Sequence, residues 1–95
     1  MRVSVTVEAI AEILGLSKEE LIKNSVKTYL ESELRRLNTE IIVIYNKYGV
    51  KSFKELDEKI SRGMLSETET FEDFTKLDYL EAKRDKIEEF LRMLS

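Results

Sequence analysis

The chain contains no cysteine, histidine, proline, glutamine or tryptophan, and only three glycines. Without cysteine there is neither a disulfide framework nor a thiolate metal site. Without histidine the commonest general base, most zinc ligands and the histidine-dependent catalytic triads are gone. Without proline no helix is interrupted by a residue that lacks its backbone donor. No apolar run reaches the ~20 residues that span a bilayer, and Glu8 and Glu12 break up what could otherwise pass for a leader. These absences lead to the expectation of a cytoplasmic protein without cofactor, metal or membrane contact, and not an enzyme.

What is present is charge. Of the 95 residues 37% are charged, with abundant Glu, Lys and Ile, the composition of a helical protein with many surface ion pairs. One domain over residues 1–95 is the natural expectation at this length. The charge is uneven. Residues 1–51 hold eight basic and seven acidic residues, a net +1, and residues 52–95 hold eight and twelve, a net −4. The first half is read as a dimerisation or DNA-facing half. The second is read as an acidic half suited to a cationic protein partner.

Gly15, Gly49 and Gly63 each fall where one apolar period ends and another begins, dividing the chain into four segments. Ser17 followed by Glu20 is a capping box and opens a long helix over about 17–48. Its apolar residues Leu30, Leu34, Leu37, Ile41 and Ile44 are spaced as a heptad seam. The β-branched run Ile41-Ile42-Val43-Ile44 leaves a strand over 40–45 as the alternative. A helix of this length needs a long partner to cover the seam, in the same chain or in a homo-oligomer. Ser52 with Glu55 opens a short helix over 52–62. "MLSETET" reads as a polar connector, and a final helix covers 70–94. Arg84 occupies a seam position there, either snorkelling to its edge or pairing with a partner's carboxylate.

The N-terminal "MRVSVTV" supports two periods. Val3, Val5 and Val7 alternate as in a strand, while Val3, Val7, Ile10 and Leu14 repeat as on a helix. The expectation is a mainly α fold with a short strand or extended segment over 2–6 and a short helix over 7–14.

Among the acidic residues, only Glu67, Glu69, Glu72 and Asp73 are grouped closely enough to suggest a carboxylate metal site, and they sit where acids favour a helix N-terminus in any case. There is no P-loop and no dinucleotide fingerprint. Phe71, Glu72, Asp73, Phe74, Tyr79 and Arg84 are the candidate partner-binding residues.

Two resemblances extend this reading. "RVSVTV" followed by "GLSKEELIKNSVKTYLESEL" resembles the ribbon-helix-helix family. That resemblance implies DNA as a partner, with Arg2, Ser4 and Thr6 reading bases and the backbone at Ser17 and Lys18 binding phosphate. Only "EAIAEIL" remains for its first helix, and Arg2 is the only cation before Lys18, which makes phosphate attraction weak. A second resemblance covers nearly the whole chain. The long Glu/Arg helix ending in "KYG", the "SFKEL" helix and the Phe71-Glu72-Asp73-Phe74 start of the last helix resemble small archaeal antitoxin components of type II toxin–antitoxin pairs. That resemblance implies a cognate basic toxin as partner, neutralised by helices wrapped over its surface.

Overall fold

Three serines and two glycines set the main helix boundaries. The structure, a computed structural model, describes residues 2–95. They form four helices: α1 (Val3–Leu14), α2 (Lys18–Tyr48), α3 (Phe53–Ser61) and α4 (Glu67–Leu94). The Ser17, Ser52 and Ser66 hydroxyls accept the backbone N–H of Glu20, Glu55 and Glu69 at 3.0, 3.1 and 3.3 Å. Each satisfies one of the donors that a helix start leaves without an intrahelical partner. At Ser52 the motif is nearly reciprocal, since the Glu55 carboxylate accepts from the Lys51 N–H at 2.9 Å. Gly15 and Gly49 sit in left-handed conformations, with φ of 72° and 64°. They let the Leu16 and Val50 N–H groups turn back to the Ala11 and Tyr45 carbonyls, both at 2.9 Å.

The heptad seam is covered within the chain. α4 runs antiparallel to α2, and Leu37, Ile41 and Ile44 are buried against its inward stripe of Leu77, Leu80 and Ile87. Leu30 and Leu34 pack on the edge of the same core. An oligomer built on these five residues would have to displace α4. The run at 41–44 is helical: Ile41 and Ile44 point inward while Ile42 and Val43 are exposed, a three-residue spacing no strand produces. α3 closes one end with Leu56, aided by Val50, Phe53 and Ile60. The Lys59 ammonium donates to the Tyr48 and Gly49 carbonyls at 3.2 and 3.3 Å, placing a cation on the negative end of α2.

Two expectations are corrected. The residues expected as an extended segment over 2–6 are helical from Val3, and there is no strand among the described residues. The Thr6 N–H and hydroxyl both donate to the Arg2 carbonyl at 3.1 Å, so the first turn is already closed. A lone strand has no ladder partner, whereas the helical period brings Val7 and Ala11 onto α2. β-Branched propensity is the weaker term. The second correction concerns "SETE", which is the N-cap and first turn of α4, not connector.

The resulting molecule is long and thin, with extents of 60 × 27 × 16 Å and a radius of gyration of 19.4 Å. A compact chain of this length would have about 12 Å. The core lies at the α3 end. No residue of α1 belongs to it.

Candidate protein-binding groove

At the closed end, α3 and the first two turns of α4 diverge around a groove of about 170 Å³. It is lined by Asp57 and Ile60 from α3 and by Glu67, Thr70, Phe71 and Phe74 from α4. The four α4 residues follow from one register, since positions 67, 70, 71 and 74 share a helix face. That register depends on Ser66 starting the helix a turn earlier than the sequence suggests. Thr70 is buried and turns its hydroxyl back to the Ser66 carbonyl at 2.7 Å. Phe74 is anchored against Phe53, with ring centroids 4.6 Å apart and planes tilted by 39°. Phe71, by contrast, is 66% exposed. Asp57 and Glu67 stand at the rim, and neither joins an ion pair among the described residues. The groove is therefore an apolar floor with carboxylates beside it that no cation pairs among the described residues.

The start of α4 is fastened by Asp73. This carboxylate accepts from the Lys47 ammonium at 2.6 Å and from the Tyr48 hydroxyl, tying the start of α4 to the end of α2. The Lys47 hydrogen bond, followed by that from Tyr48, holds the Asp73 carboxyl below the usual carboxylate range. Lys47 is correspondingly raised by the same contact. Burial, then the bond to Asp73, pushes the Tyr48 phenol up. Two turns along, the Tyr45 hydroxyl donates to Glu81. Burial first, and then that bond, pushes Tyr45 up to about 12.

Of the six candidate partner residues, the structure thus turns Asp73 and Phe74 inward and leaves Phe71, Glu72 and Tyr79 exposed. Arg84 pairs within its own helix, with Asp85 at 3.2 Å and Glu81 at 3.6 Å. Asp57, Ile60, Glu67 and Thr70 are not among the partner residues that the sequence suggests, although Glu67 belongs to the acidic cluster noted there. The Ser66–Glu69 capping box was the signal that could have placed Glu67 and Thr70 beside Phe71. Asp57 and Ile60 arrive only through the α3–α4 packing.

The family model described as the Uncharacterized protein MJ0235 family matches residues 1–95. The chain belongs to this family. It is similar to "Uncharacterized protein MJ0235" of Methanocaldococcus jannaschii, 35% identical over 77 residues that cover 81% of this chain and 94% of that one. No solved structure matches. In this MJ0235-family chain the residues considered for DNA lie at the opposite end from the groove. Lys18 donates to Ser4 at 2.9 Å and pairs with Glu8 at 3.3 Å. Thr6 is occupied with the Arg2 carbonyl. The ribbon on which base reading would depend is the first turn of α1. No helix among the described residues is long and apolar enough to cross a membrane.

Proposed function

We propose that this chain is a non-catalytic protein-binding module, and that the α3–α4 groove receives a cationic, partly apolar segment of another protein. The observation that carries the proposal is Phe71, a large aromatic side chain left in water beside Asp57 and Glu67, next to Phe74, which packs on Phe53. An aromatic anchor in an apolar recess with a charged rim is the anatomy of a binding hot spot. The rim carboxylates would steer and orient a basic partner. The −4 balance of residues 52–95 extends the same preference over the surrounding surface.

The narrower form of the proposal is an antitoxin component whose partner is a small basic toxin. It rests on the resemblance described above together with the acidic groove. The test is co-expression with the product of the adjacent reading frame, followed by affinity purification through a tag on this chain. Retention of a small basic neighbour by the wild type, and its loss with Phe71→Ser, supports the reading. Equal retention by Phe71→Ser moves the binding surface elsewhere, and a neighbour that never co-purifies removes the toxin reading.

A further inference from the structure

The end of the molecule opposite the groove is unfinished. α4 stops beside Val26 and Leu30 of α2, so the first two turns of α2 are flanked by α1 alone. α1 is apolar at eight of its twelve positions, yet only Ala11 is buried. It has no side-chain N-cap, no acid in its first turn and no base in its last. An isolated helix of this length is marginal in water. Its outer side, with Val5, Ile13 and Leu14, stands out as an exposed ridge. Beside that ridge runs a trough, first between α1 and α2 over Ile10, Ile22 and Val26, then between α2 and α4 over Val26, Phe90 and Met93.

We propose that a second copy of this chain covers this end, the α1 ridge of each protomer lying in the trough of the other. Three observations favour that occupant. The first is area. Nine large apolar side chains of this end, five on α1 and two each on α2 and α4, are between 42% and 86% exposed. Since aliphatic side chains are smaller than the ~150–250 Å² of an aromatic one, together they leave on the order of 700 Å² in water. Monomers expose patches of about 300–600 Å², and a stable interface buries about 800 Å² per partner. The second is shape. Ridge and trough lie side by side on one chain, as an isologous two-fold contact requires. The third is charge. Residues 1–30 carry Arg2, Lys18, Lys23 and Lys27 against Glu8, Glu12, Glu19 and Glu20, which cancel. A neutral surface neither repels its own copy nor attracts a nucleic acid. This interface is separate from the groove and from the covered heptad seam.

Sedimentation velocity of the full chain over a dilution series tests the proposal, with Ile13→Glu and Met93→Glu as variants. Both positions are exposed, at 86% and 73%, so the protomer folds without them. Ile42→Glu, exposed but away from this end, is the control. The expectation is a wild-type dimer, a dissociation constant at least about 30-fold weaker in either band variant, an unaltered control, and equal helical circular dichroism throughout. A wild type that stays monomeric at every concentration means a different occupant and overturns the proposal. A dimer that resists both band variants, or that only Ile42→Glu dissolves, overturns it as well. Neither outcome bears on Phe71.

Discussion

Replacing Leu77 by alanine tests whether stability resides where the packing places it. Leu77 is 0% exposed and belongs to the core shared by α2, α3 and α4, with Leu37, Ile41 and Leu56. The substitution removes three carbons, about 2 kcal/mol of transfer free energy at ~0.8 kcal/mol per buried methylene. The side chain is enclosed by three helices, none of which can close in without shifting the others. A cavity contribution is therefore added, and the total comes to about 3–4 kcal/mol. Domains of this size are stable by roughly 5–15 kcal/mol, so a substantial fraction is lost. Urea unfolding followed by circular dichroism should show a lower midpoint at unchanged slope. Phe71→Ala is the paired control. It removes a larger side chain, but one that is mostly in water, and should cost less than about 0.5 kcal/mol. If Leu77→Ala costs under about 1 kcal/mol, or if Phe71→Ala costs as much, the assignment of core and surface is wrong.

Further expectations concern the polar ties and caps. The Asp73 carboxyl has a folded-state pKa below the ordinary carboxylate range, held there by the Lys47 and Tyr48 hydrogen bonds, so its stabilisation is complete above the unfolded pKa and is lost as pH falls through the lower, folded one. Urea midpoints measured from pH 5 downward should fall more steeply in the wild type than in Asp73→Asn, and parallel slopes would mean that the Lys47–Asp73 contact contributes nothing. Tyr45 behaves oppositely: its pKa rises from 10.0 to about 12, so its contribution is complete below pH 10 and is lost as pH climbs towards 12. Tyr45→Phe should remove that part of the alkaline destabilisation, and an identical alkaline profile would contradict the burial of the Tyr45 hydroxyl together with its bond to Glu81. Ser66→Ala removes the α4 cap and should cost about 0.5–2 kcal/mol. In hydrogen exchange the loss of protection should be greatest in the first turn of α4, which carries Glu67 and Thr70, and uniform loss along the helix would refute the capping role.

The sequence displayed its helical periodicity clearly, and the long seam could be read because Leu30 to Ile44 repeat without a change of register. Nothing local indicates which helix covers that seam; the antiparallel return of α4 is a tertiary fact, expressed in the match of two stripes far apart in the chain. The N-terminus was misread because three alternating valines imitate a strand over a distance too short to distinguish two periods. Helix won through Val7 and Ala11, which only a helical path brings onto α2. At the candidate site, Phe71 was legible as a partly apolar, acidic helix start. Asp57 and Ile60 were not, since they reach the groove only through the angle between α3 and α4. Asp73 was legible as a candidate partner-binding acid, not as an internal tie, because its engagement with Lys47 and Tyr48 spans about 25 residues of sequence that no local pattern connects.

The central claim, that the α3–α4 groove takes a cationic apolar segment, is tested most directly by nuclear magnetic resonance. The ¹⁵N-labelled chain is titrated with a synthetic helical peptide bearing Leu on one face and Lys on the other, and separately with its Glu counterpart. Saturable amide shifts centred on Asp57, Ile60, Thr70, Phe71 and Phe74 are expected with the Lys peptide, weakening as salt screens the rim carboxylates, and no such response to the Glu peptide. Equal shifts from both peptides, or shifts confined to α1 and the end of α4, would contradict it.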